Sequence, residues 1–357
     1  MSRKLYTVGP VYVADDTLKA MDRPMITHRS KEYKELHKDI EDKLREVLDI
    51  NYDFLMVSGS ATVLLEGAAR SGISKKSLGL TSGSFGDRSI EVAETNGKTV
   101  EKISVPLGKA VKPEHLEGKV GKDIEAVHWV SNESSSGVFC DSIALADEIR
   151  SQNSDALLML DTVTSMFAMD LKMSKLQPDS VVFGTQKAMA LPPGLAFAAV
   201  SPKFLAKAEK VENKGFYADF TKLKAKNDEN YALTTPPVSL MYGVQYQLDK
   251  MLKEGMQTRY RRHQEMADMV RKWACTKMQG VFPEKGYESN TIGVVNRGDL
   301  DFDKFHSLLK SMGVEISNGY GSAKNTTFRI GHMGDLQCSD IKALIALMNE
   351  ALEEMKQ

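Results

Sequence analysis

The sequence predicts an α/β protein: a parallel sheet covered by helices on both faces, followed by a smaller α+β region. Three observations carry this. Short runs rich in Val, Leu and Phe alternate with stretches of helical period. Those runs are apolar throughout rather than alternating, as strands buried on both faces are. After residue 201 the rhythm changes to long helical patterns and a second group of strands.

Residues 31–49 place Tyr33, Leu36, Ile40, Leu44, Val47 and Leu48 at helical spacing. Candidate strands follow at 53–57, 77–82, 99–105, 125–131, 156–160, 180–184 and 194–200, with helical patterns at 61–72, 86–96 and 141–152 among them. Buried strands separated by helices predict parallel order. A polar segment, 207–230, precedes helical patterns at 238–254 and 256–274. The remainder reads as strand 291–296, helix 301–312, strands near 314–317 and 326–331, and helix 339–355. That last helix carries Ile341, Leu344, Ile345, Met348 and Leu352 on one face. The pattern divides the chain into a large α/β domain, 16–255, and a small C-terminal α+β domain, 256–357, joined by an N-terminal segment, 1–15.

With 357 residues and a net charge of −1, the chain offers no global field for nucleic acid or an anionic membrane. The basic cluster Arg259-Tyr260-Arg261-Arg262-His263 lies in a helical stretch and reads as a solvated face or a set of ion-pair partners. Cys140, Cys275 and Cys338 are too widely spaced to suggest a disulfide framework or a zinc site. The seven histidines show no ligand spacing, so no metal is expected. The N-terminus lacks an apolar signal core, and no run approaches the ~20 apolar residues of a membrane span. A reduced, soluble, cytoplasmic protein is expected.

Four strand-end features can converge on one crevice, because open α/β sheets bind ligands beyond the carboxyl ends of their strands. Ser58-Gly59-Ser60-Ala61-Thr62 opens the helix after the first strand; it suits a phosphate or a plain N-cap equally. Asp161 ends the apolar run ALLMLD and is either a turn cap or an acid needing a positive partner. Lys187, in VVFGTQKAMALPPG, is the only charge in a long uncharged stretch. It is either a lysine snorkelling to solvent or a desolvated amine able to form a Schiff base. Arg329, in TFRIG, is an edge-strand arginine paired with a surface acid, or a bidentate clamp on a carboxylate. A carboxylate and a lysine on neighbouring strand ends suit pyridoxal phosphate, which has a ring nitrogen on one side and an aldehyde on the other.

Together, SGSAT, Asp161-Thr162-Val163, Gln186-Lys187 before PPG, and FRIG at 328–331 resemble the class V aminotransferases. These are fold type I pyridoxal-phosphate enzymes, and the alanine–glyoxylate and serine–pyruvate branch is the most similar. The resemblance runs from TVGP at 7–10 to the final helix. It implies a mostly parallel seven-stranded sheet and pyridoxal 5′-phosphate as cofactor. By that resemblance, Ser60, Ala61 and Thr62 hold the cofactor phosphate, Phe85 stacks on the ring, and Ser134 bonds near the O3′ or nitrogen edge. Asp161 pairs with the ring nitrogen, Val163 packs the other face, and Gln186 flanks Lys187, the Schiff-base lysine. Tyr231 and Thr234 reach the phosphate of a neighbouring subunit, implying a homodimer; Gly9 and Arg329 serve the substrate. Ala61 stands where glycine is usual, and Phe85 where Trp or Tyr is common.

The implied reaction is transamination of a small L-amino acid (alanine, serine or aspartate) with glyoxylate, pyruvate or 2-oxoglutarate. One alternative is a phosphoserine aminotransferase, since His28-Arg29 before the first long helix could hold a substrate phosphate. Another is a lyase of the cysteine desulfurase kind. A third is a non-catalytic interaction protein on the same scaffold.

Overall fold

A computed structural model describes residues 3–356. Its centre is a seven-stranded sheet in the order Asp53–Gly59, Gly194–Val200, Ser180–Gly184, Leu157–Asp161, Ala126–Val130, Lys76–Thr81, Thr99–Ser104. Six strands run parallel and end at one edge, at Gly59, Gly184, Asp161, Val130, Thr81 and Ser104. Gly194–Val200 is antiparallel to both its neighbours. The sheet is therefore mostly parallel, as expected, with Gly194–Val200 its one antiparallel strand. The reason is length: the connection after Gly184 is too short for a helical crossover, which takes a dozen or more residues, so the chain doubles back.

Helices Ala61–Gly72 and Ser84–Thr95 pack on one face, with Phe204 and Phe220 from two further helices, Pro202–Ala208 and Phe220–Asn227. Lys31–Leu48 and Val238–Glu254 cover the other. The predicted stripe Tyr33, Leu36, Ile40, Leu44, Val47 and Leu48 is buried there. The polar segment 207–230 contains the helix Phe220–Asn227, which its composition concealed.

The C-terminal part surrounds a three-stranded antiparallel sheet, in which Thr327–Gly331 lies between Ile292–Asn296 and Ser317–Asn318. Helices Met256–Lys277, Phe302–Ser311 and Cys338–Glu354 complete its core. The strand expected near 314–317 is two pieces: Val314–Glu315 pairs with Lys4–Leu5, and Ser317–Asn318 joins the three-stranded sheet. Tyr6 is buried in this core, so the N-terminal segment packs against the C-terminal part before it reaches the large sheet. Gly255, at φ 78°, separates the two long helices that link the parts.

Candidate active site

The carboxyl edge of the large sheet opens into a cavity of about 360 Å³. Its walls include Ser60, Ala61, Thr62, Phe85, Ser134, Asp161, Val163, Gln186 and Lys187, side chains from five separate connections. Strand register does the gathering: Asp161 lies opposite Val130 on one neighbour and Val182 on the other, so the turns after all three strands meet.

Lys187 does not snorkel outward. Its Nζ donates to the Val8 carbonyl at 2.7 Å, across 179 residues of sequence. Among the described residues it has no carboxylate within salt-bridge distance. Its pKa is lowered to about 8, chiefly by burial and then by Arg329, with Asp161 opposing both. A near-neutral amine is thus available at moderate pH.

Asp161 is 7% exposed, and its carboxylate accepts a hydrogen bond from the Val163 N–H at 2.9 Å. It therefore does cap its turn, and it also lines the cavity. Its pKa is raised to about 6, chiefly by burial and also by Glu133, against the Val163 bond and the charges of Lys187 and Arg88. A cation brought into the cavity would reverse that shift.

Ser60 precedes the helix Ala61–Gly72 but makes no side-chain capping bond, which leaves the helix's first N–H groups open toward the cavity. The plain N-cap reading is thus not what the structure shows. Arg329 is 9% exposed on the central strand of the small sheet, not an edge. It bonds the carbonyls of Asn318 (2.9 Å) and Ser134 (3.2 Å) and, among the described residues, pairs with no acid. Gly9 lies beside Lys187: at φ +149°, a Cβ there would come within 2.5 Å of Nζ.

Tyr231 and Thr234 stand outside the cavity. The Tyr231 hydroxyl donates to the Arg29 carbonyl (3.2 Å), so Arg29 and Tyr231 share one surface. Cys338 opens the last helix away from the cavity, its thiol pushed up by burial and by Glu265.

Several residues around the cavity went unnoticed in the sequence. Arg88, one helical turn after Phe85, lies 4.9 Å from that ring's centre and donates to the Tyr320 hydroxyl (3.1 Å). Tyr320 stacks on Phe85, centroids 5.5 Å apart, and lies beneath Arg329 at 5.2 Å. Asn132 and Thr164 also line the walls. Glu133 is wholly buried and accepts from the Phe85, Gly86 and Ser135 N–H groups at 2.9–3.0 Å, which pins the Phe85 turn to the NESSSG loop. An acid inside a run of small residues was the available signal for Glu133.

The family model "Aminotransferase class-V" matches residues 16–344. The chain is 29% identical to the "Soluble hydrogenase 42 kDa subunit" of Anabaena cylindrica, over 97% of this chain and 92% of the relative. It is 28% identical to the L-aspartate–glyoxylate aminotransferase of Paracoccus denitrificans, covering 93% and 86%. The fold matches the alanine–glyoxylate aminotransferase of Nostoc sp. with a TM-score of 0.91, at 23% identity over 99% and 96% of the two chains. With the family matched along nearly its whole length, the chain belongs to the class V aminotransferases.

Proposed function

We propose that the protein uses pyridoxal 5′-phosphate to transaminate a small L-amino acid (alanine, serine or aspartate), with glyoxylate, pyruvate or 2-oxoglutarate as acceptor. One observation carries this reading: Lys187 and Asp161 reach one cavity from neighbouring strand connections, with an uncapped helix N-terminus beside them. The residues fit the cofactor. A phosphate suits the N–H groups of Ala61 and Thr62. A protonated ring nitrogen suits Asp161, a buried carboxyl whose pKa burial raises and a nearby cation would lower. Phe85 and Val163 supply apolar surfaces for an aromatic ring, and Ser134 and Gln186 supply polar edges.

When bound, the ring supplies an electron sink for the pair left when the substrate Cα–H bond ionises. The remaining work falls to this chain. Arg329 takes the substrate carboxylate and so orients Cα. Lys187 would hold the cofactor through its Nζ, and as a free amine that Nζ would accept the proton from the substrate Cα. Asp161 would hold a proton on the ring nitrogen. Gly9 leaves room for Lys187 to swing.

Tyr231 and Thr234, outside their own cavity, are proposed to complete the phosphate site of a second copy, making a homodimer the active form. The proposed domain boundary is Gly255. Aspartate, already among the expected donors, is named in the Paracoccus relative. A desulfurase-like lyase finds no support, since Cys338 lies away from the cavity and its thiol is pushed up.

The test is a panel of amino acids mixed singly with the loaded enzyme and followed by cofactor absorbance, with borohydride reduction and peptide mapping in parallel. Conversion by alanine, serine or aspartate, with the adduct on Lys187, supports the proposal. An adduct on another lysine sinks it.

A further inference from the structure

The basic cluster 259–263 supplies ion-pair partners, as one of its two readings expected, for Arg259 and Arg262 both pair with Glu254; but these two are buried rather than solvated. Arg259 is 1% exposed and Arg262 9%. Taking a guanidinium out of water costs several kcal/mol unless specific acceptors replace the water. For Arg259 those acceptors are carbonyls of two separate turns. Nε donates to Phe167 O at 3.0 Å, and Nη2 donates to Ala188 O at 2.7 Å. Nη1 pairs with Glu254 at 3.0 Å and lies 3.7 Å from Asp335.

Ala188 is the residue after Lys187. The turn they share is held at a second point, where Gln247 Nε2 donates to Ala190 O (3.1 Å) and to Asp335 (2.9 Å). Phe167 and Ala190 both have left-handed backbones, φ 66° and 55°. For residues other than glycine that geometry costs roughly 1–3 kcal/mol and persists where surroundings enforce it. The enforcing groups here are Arg259, Gln247 and the acids Glu254 and Asp335.

We propose that Arg259 is a positioning residue for the reacting lysine. By bridging the Ala188 and Phe167 carbonyls to Glu254 and Asp335, it fixes the Lys187–Ala190 turn so that Lys187 points into the cavity. This rests on Lys187 being the reacting amine. The influence passes through the backbone, because the charged groups that shift Lys187 are Arg329 and Asp161. Arginine is required, since an ammonium cannot span two carbonyls and a carboxylate in one plane.

The experiment uses Arg259→Lys, Gln247→Met and, as control, Arg262→Lys. Arg262 bonds Glu254, Gly334 O and Leu336 O but no carbonyl of the Lys187 turn. In the cofactor-free protein, Lys187 is acylated with acetic anhydride across a pH series and quantified by peptide mapping. In the loaded enzyme, kcat and KM are measured separately. Arg259→Lys should shift the labelling midpoint by about half a pH unit or more. It should also lower kcat by about 10- to 100-fold, as misplaced reacting groups do, with KM within about threefold of wild type. Gln247→Met should act in the same direction, less strongly, and it decides the matter should Arg259→Lys not fold. Wild-type midpoints in both variants overturn the proposal, as does an equal shift in Arg262→Lys. An adduct mapping to another lysine would remove the reading beneath, whereas unchanged midpoints with the adduct on Lys187 would remove only this role for Arg259.

Discussion

The Nζ of Lys187 lies 2.7 Å from the carbonyl oxygen of Val8, and the neighbouring Gly9 leaves no space for a Cβ on that side. The N-terminal segment, itself paired to the C-terminal part through Lys4–Leu5, thus forms one wall around Lys187.

Gly9→Ala should therefore damage activity more than folding. Its φ of +149° disfavours any side chain, and the new methyl would meet Nζ at 2.5 Å. A fall in kcat of roughly 10-fold or more is expected, as for a displaced catalytic group. Wild-type kcat in a folded variant would show that the segment yields at no cost.

Asp161→Asn should lower kcat by roughly 100-fold or more, comparable to losing an electrostatic stabiliser at a developing charge. The cofactor-free variant should be no less stable than wild type, because an uncompensated buried charge has gone. Steady-state kinetics and thermal melts check the two halves separately. Near-normal turnover would reduce Asp161 to the turn cap that its bond to Val163 already makes it.

The pH dependence of Lys187 has a definite sign. Its pKa is lowered from 10.5 to about 8, so between those values the unfolded chain binds the extra proton. Stability of the cofactor-free protein should rise with pH through that window, and the penalty is fully present below it. Acylation of Lys187 should show a midpoint near pH 8, and Arg329→Gln should raise it by removing the repelling guanidinium. A midpoint that falls in the variant contradicts this electrostatic account.

Arg329→Lys should raise KM for the amino acid by roughly 10- to 100-fold, in line with about 1.5–3 kcal/mol for hydrogen bonds to a charged group. Cofactor affinity should change little. Equal reactivity of amines without a carboxylate in the wild type would argue for a different role.

Phosphoserine should be a poorer substrate than serine or alanine, and Arg29→Ala should alter kcat/KM for the small donors by no more than about threefold. The exposed Arg29 lies with Tyr231 outside its own cavity, so any effect would come from a second copy. A strong phosphoserine preference that Arg29→Ala abolishes would reverse the substrate choice.

Period and composition were sufficient to place the buried strands, the long helices and the strand-end positions of Asp161 and Lys187, because these are local properties of the chain. Burial on both faces demands uninterrupted apolar runs, and a charge at the end of such a run is conspicuous. What needed tertiary structure was direction and partnership. Whether Gly194–Val200 runs parallel depended on the length of the turn before it. Whether Ser60 caps its helix depended on a side-chain bond that is not made. Arg259 and Glu133 looked like ordinary charges, since nothing in their neighbours reveals which distant carbonyls or N–H groups will replace water around them. A buried charge is decided by groups far away in sequence, so the sequence by itself determined the buried strands and the strand-end places of Asp161 and Lys187, and only the packed chain decided which charges hold them in place.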